Sequence, residues 1–203
     1  GPAFDLIQVG LSESPGISSS GVHALGENYL LTKEGLAACL RRLKPGGLLG
    51  ISRWVKNPPR EELKLLAALI EAFEEVNGSG ASSSLVVLRS WQNVTFLVKQ
   101  GYFSAGDIRS VRSFCAERMF DISYCPGILP ADLNRMNRLE REYYHEAALA
   151  LLSGQREAFY ADYPFYVRPA TDDRPFFSDT FKISLLRIYL QSRDRMIAVL
   201  LDV

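Results

Sequence analysis

The chain opens on an apolar run, Phe4-Asp-Leu-Ile-Gln-Val9, bounded by Gly10 and a polar stretch. Such a run reads as a buried strand. A buried parallel strand needs neighbours on both sides, so either this is a sheet edge or the other half of the sheet lies N-terminal to it. Residues 11–26 are rich in Ser and Gly and read as a loop. From Thr32 the period lengthens: Leu36, Ala37, Leu40 and Leu43 fall on one helical face, with Glu34 in the first turn and Arg41, Arg42 and Lys44 at the end. Pro45-Gly46-Gly47 stops that helix, and Leu48–Trp54 is an apolar run of strand length.

Pro58-Pro59 opens a second helix over about residues 60–76. Its stripe is Leu63, Leu66, Ala67, Ile70 and Phe73, and Glu61, Glu62, Lys64, Glu71, Glu74 and Glu75 are expected on a solvated face. Residues 77–84 form a Gly/Ser connector. Leu85–Arg89 and Thr95–Lys99 are β-rich and close enough for an antiparallel hairpin. The order strand, helix, strand, helix, strand, strand predicts an α/β sheet with mostly parallel strands and an antiparallel edge hairpin.

Beyond residue 100 the pattern turns helical. Ser104 with Asp107 is a variant capping box before Ile108, Val111 and Phe114. Residues 139–152 and 155–162 read as helices, and another is expected after Asp179. Between them, residues 163–177 form a segment rich in proline and aromatics, expected to pack back on the sheet. The predicted organisation is residues 1–100 as the second half of a Rossmann-like α/β domain and 101–203 as a helical extension.

Composition narrows the function. With 203 residues, 23 Lys+Arg and 23 Asp+Glu, the chain has zero formal net charge and no basic block, which argues against nucleic acid as a partner. Cys39, Cys115 and Cys125 form neither a disulfide framework nor a CxxC pair, and with only His23 and His145 no metal site is expected. No signal peptide is visible, and the most apolar stretch, residues 183–203, is broken by Arg187, Arg193, Asp194 and Arg195. The reading is a soluble, cytoplasmic domain.

Three places carry candidate chemistry. Gly10-Leu11-Ser12-Glu13 follows the first strand, where open α/β sheets hold ligands. Gly10 permits close approach and Ser12 and Glu13 supply polar groups; the same residues also fit an ordinary turn. The match to a hydrolase elbow fails because Pro15-Gly16, not a helix, follows the serines. Glu27 and Tyr29 close the Ser/Gly loop, which lacks any phosphate-cradle spacing. Asp172, Asp173 and Arg174 sit together in the proline-rich segment, where Arg174 is able to pair with a neighbouring carboxylate and pin the segment down. His145, with no second ligand nearby in sequence, reads as structural, and Trp54 and Trp91 read as packing residues.

Taken together, Phe4-Asp-Leu-Ile, the polar loop, Glu27-Asn-Tyr-Leu-Leu-Thr-Lys-Glu-Gly-Leu36, Leu43-Lys-Pro-Gly-Gly-Leu-Leu49, Trp91-Gln92 and Ala170-Thr-Asp-Asp-Arg-Pro-Phe-Phe177 resemble the second half of a spermidine-synthase-like protein of the class I S-adenosylmethionine-dependent methyltransferase fold. The resemblance covers about residues 3–180 and is similar to a bacterial branch often joined to membrane segments. It implies that Phe4–Val9 and Leu48–Trp54 are the fourth and fifth strands and that the hairpin supplies the last two. It implies S-adenosylmethionine or its decarboxylated form as cofactor, near Gly10, Leu11 and Ser12, and a small-molecule amine as acceptor. Glu13 would orient or deprotonate the amine, Glu27 and Tyr29 would line the acceptor side, and Asp172, Asp173 and Arg174 would tie the C-terminal segment across the domain. The glycine-rich loop and ribose-binding acid of the first half have no counterpart, so weak cofactor binding is expected. The acid pair of aminopropyltransferases falls on Gly10 and Glu13, one carboxylate lost and one lengthened. That loss favours the alternative, a catalytically idle domain used for assembly or ligand sensing in a larger, membrane-attached protein. An open edge at Phe4–Val9 would also admit a homodimer.

Overall fold

The computed structural model describes residues 1–11 and 26–183. Ser12, Glu13, most of the Ser/Gly loop and nearly all of the helix expected after Asp179 lie outside the described residues. The described chain is a mixed α/β domain. Five strands, β1 (Phe4–Val9), β2 (Leu43–Trp54), β3 (Leu85–Arg89), β4 (Asn93–Lys99) and β5 (Asp121–Tyr124), form one sheet in the order β1-β2-β4-β3-β5. Six helices accompany them: α1 (Lys33–Arg42), α2 (Glu61–Asn77), α3 (Ala81–Ser84), α4 (Ala105–Arg118), α5 (Tyr143–Leu152) and α6 (Arg156–Asp162).

The expectation of mostly parallel strands is corrected. Only β1 and β2 pair in parallel, with Ile7 opposite Leu49 and Val9 opposite Ile51; every other pair is antiparallel. The reason is the position of the hairpin. Helix α2 returns the chain so that β3 runs in the direction of β2, yet β4 fills the slot between them and pairs antiparallel with both. Strands β1, β2 and β3 therefore point one way, with β4 and β5 against them. Strand β5 is a second departure, because it lies in the half expected to be helical.

Local chemistry sets the element ends. The Thr32 hydroxyl accepts from Gly35 N at 3.1 Å and caps α1, whose last turn carries Arg41 and Arg42. Ser104 and Asp107 complete a reciprocal capping box on α4. Pro45-Gly46-Gly47 does not precede β2 as expected. It lies inside the strand, at the point where the register with β1 shifts. Gly46 has φ +81°, and a Cβ on Gly47 would sit 3.0–3.2 Å from the carbonyl oxygens of Lys44, Phe4 and Asp5.

The main core lies between the sheet face carrying Leu49, Ile51, Phe96, Val98 and Val87 and helices α1, α2 and α5. Each fully buried Leu or Phe there contributes about 2 kcal/mol through removal from water. A smaller cluster, with Val86, Leu88, Cys115 and Ile122, lies under α4 on the other face. Residues 163–177 pack into the main core through Phe165, Val167, Ala170 and Phe177. Burial departs from expectation at five residues. Glu62 and Lys64 are 1% and 2% exposed, because α5 and the proline-rich segment cover the α2 face expected to be wet. Trp91 is 72% exposed at the hairpin tip, so it does not pack. Phe4 and Leu6 are half exposed, because β1 is an edge strand among the described residues.

Candidate functional site

Residues 28–32, just before α1, and the turn at residues 170–175 meet at the N-terminus of α1. In a β1-α1-β2 crossover with parallel strands, that helix end lies at the carboxyl edge of the pair. Backbone bonds lock the two segments together: Asn28 N donates to Pro175 O and Lys33 N donates to Ala170 O, both at 2.8 Å. Asn28 caps the short 3-10 turn Tyr29–Leu31 by accepting from Leu31 N at 3.2 Å. The turn then runs so close to α1 that a Cβ on Gly35 would lie 2.1 Å from Tyr29 O. Only glycine fits there.

Side chains converge on this junction. The buried Thr32 hydroxyl lies 2.7 Å from Asp172 Oδ1 and 2.8 Å from Tyr29 O, one proton between two acceptors. Asp172 N donates to Glu34 Oε2 at 3.1 Å. Tyr29 donates its hydroxyl to Glu27 Oε2 at 3.1 Å. That bond and the Glu27 charge, with a smaller contribution from Asp172, hold the phenol above its ordinary range. Glu27, Glu34 and Asp172 thus meet at one junction, and the adjoining Lys33 is turned to Glu34 and Glu75 at 3.8 and 3.5 Å.

The structure brings together Glu27, Tyr29 and Asp172, but not the whole expected set. Asp173 is exposed. Arg174 pairs with neither Asp172 nor Asp173; its guanidinium lies 5.9 Å from the Tyr166 ring centroid. Gly10 is exposed, with nothing within 4 Å of a Cβ placed on it, and Leu11 is 38% exposed. Ser12 and Glu13 lie outside the described residues. Thr32 and Glu34 were missed in the sequence. The capping position of Thr32 was legible, but its second role, holding Asp172, depends on a residue 140 positions away.

Elsewhere the reactive residues have structural occupations. His145 Nδ1 is 3.0 Å from Ser123 O. The three cysteines are free thiols; burial raises each, Cys115 to about 11, which suppresses the thiolate. Buried Asp121 accepts the backbone N–H groups of Arg135, Met136 and Asn137 at 2.6–2.8 Å and faces Arg89 at 3.7 Å. Among the described residues no group of three metal-ligating side chains occurs, and no helix is long and apolar enough to cross a membrane. No protein-family model, no curated protein and no solved structure matches this chain.

Proposed function

We propose that this chain is the acceptor-side part of a spermidine-synthase-like group-transfer domain and that the junction binds a cationic amine. The observation that carries the reading is the meeting of Glu27, Tyr29, Thr32, Glu34 and Asp172 at the N-terminus of α1, drawn from two segments far apart in sequence. Carboxylates beside an aromatic hydroxyl attract an ammonium group and orient it through hydrogen bonds. The β1-α1-β2 crossover followed by a hairpin supports the same reading, since it supplies the strands the resemblance implies in their expected sequence.

The described residues do not by themselves fit a nucleotide cofactor. Gly10 and Leu11 would border it with open backbone, but no described glycine-rich turn or ribose-facing acid completes a cradle. What this chain contributes is on the acceptor side. Asp172 and Glu27 would hold the ammonium, Tyr29 would fix its approach, and Glu13 would take the proton the amine loses as its new bond to carbon forms. The idle alternative rests on Gly10, where the expected carboxylate is missing.

Heteronuclear NMR titration with putrescine tests the reading. Amides of residues 27–34 and 171–173 should shift saturably, butanediol should leave them unmoved, and Asp172→Asn should weaken binding about tenfold. Equal responses to diamine and diol would refute it. Parallel titration with S-adenosylmethionine, its decarboxylated form and methylthioadenosine sorts the chemistry. Preference for the decarboxylated form supports aminopropyl transfer, preference for the carboxylated form supports methyl transfer, and silence from every ligand supports the idle domain.

A further inference from the structure

The turn that places Asp172 at the amine junction also presents Arg174 to a different cavity, of about 310 Å³, between α2 and the proline-rich segment. Its floor is Lys64, 2% exposed, whose Nζ donates to Phe176 O at 2.8 Å and to Asp179 O at 2.7 Å. An ammonium has three protons, so one remains. Lys64 Nζ and the Arg174 guanidinium lie 5.4 and 5.9 Å from the centroid of one ring, Tyr166. Neither cation makes an ion pair with a described carboxylate.

Of the acids that line the same cavity one is ion-paired and two accept neutral hydrogen bonds. Glu157 holds Arg168 through both its oxygens. Glu71 accepts the Tyr160 hydroxyl at 2.9 Å. Asp179 Oδ1 accepts from Phe181 N at 3.3 Å. The lining cations without an ion pair to a described carboxylate are Lys64 and Arg174, and the Thr171 side chain also lines the space. Burial lowers Lys64 to about 8; Asp179 and Glu61 oppose that shift and Arg174 adds to it. A buried ammonium and a neighbouring guanidinium repel one another, and an anion between them relieves both.

We propose that this cavity is a binding site for a small oxyanion, a phosphate or carboxylate group, held by Lys64 and Arg174 over the Tyr166 ring. The site is independent of the amine junction, although both use one turn. Guanidinium and ammonium donors lining one cavity suit a group with two or more acceptor oxygens. The cavity has room for a small organic anion carrying such a group.

The test is an NMR titration of the whole chain with inorganic phosphate, ionic strength being held constant with chloride. Saturable shifts should appear at Lys64 and at the amides of Thr171, Arg174 and Phe176, with a millimolar dissociation constant. Arg174→Gln, an exposed substitution that leaves the core untouched, should weaken binding about tenfold or more. Asp172→Asn should leave phosphate binding unchanged, which separates this site from the amine reading. No saturable shift, the same shifts with chloride alone, or undiminished binding in Arg174→Gln would each overturn the proposal.

Discussion

The burial of Glu62 should give the fold a pH dependence of unusual direction. Its carboxylate sits at the start of α2, fully enclosed, and accepts from Lys56 N at 2.5 Å, Arg60 N at 2.9 Å and the Tyr144 hydroxyl at 3.4 Å. Burial outweighs the backbone N–H bonds and pushes the group up to about 7 from an ordinary 4.5. The folded protein therefore keeps a proton that the unfolded chain releases at lower pH. Stability from this group is complete below about pH 4.5 and is lost as pH rises through about 7. A displacement of that size corresponds to roughly 3 kcal/mol between the two limits. Glu62→Gln removes the titration while keeping the shape. Urea unfolding of both proteins, followed by tryptophan fluorescence at about pH 4.5, 6 and 8, isolates Glu62, because every other group cancels in the difference. The stability of the native protein relative to Glu62→Gln should fall by about 3 kcal/mol across that range. Two curves that stay parallel within about 0.5 kcal/mol would refute the reasoning.

Two further outcomes follow from single side chains. Gly35→Ala brings a methyl group against Tyr29 O, so it should cost about 2 kcal/mol or more in thermal unfolding despite the better helix propensity of alanine, and should weaken diamine binding by displacing Tyr29. Asp121→Asn removes the charge that faces Arg89 and spoils a cradle of three N–H groups, and should cost about 3–5 kcal/mol in urea unfolding at neutral pH. Burial alone would raise the Asp121 carboxyl, but the N–H groups and Arg89 reverse that and hold it below the usual range. Its contribution is thus present at neutral pH and lost only as pH falls through that lowered value, so the penalty of the variant should shrink on acidification.

The candidate site was legible only in pieces. Glu27 and Tyr29 stand out in the sequence because they end a Ser/Gly loop, and Asp172 because it adjoins another acid and an arginine. Their meeting through Thr32 was not legible, since a hydroxyl that caps its own helix gives no sign of also holding a distant carboxylate. Lys64 left one clue: residues 65–70 are apolar without interruption, which marks a helix covered on more than one face. The charged residues Arg60, Glu61 and Glu62 at its start mask that pattern.

Local pattern located α1, α2, α4 and the β3–β4 hairpin, but not β5, α3 or the start of β2. The capping residues Thr32 and Ser104, the stripe along α2 and the spacing of the hairpin strands act within a few residues of themselves, so they are written into the sequence. Strand order and burial are not local. Whether β4 lies outside β3 or between β2 and β3 changes no residue's periodicity, yet it turns a mostly parallel sheet into a mostly antiparallel one. Whether Glu62 and Lys64 face water or carbonyl oxygens depends on segments about eighty to more than a hundred residues away, whose packing enthalpy and exclusion of water decide the matter only once the chain has closed on itself.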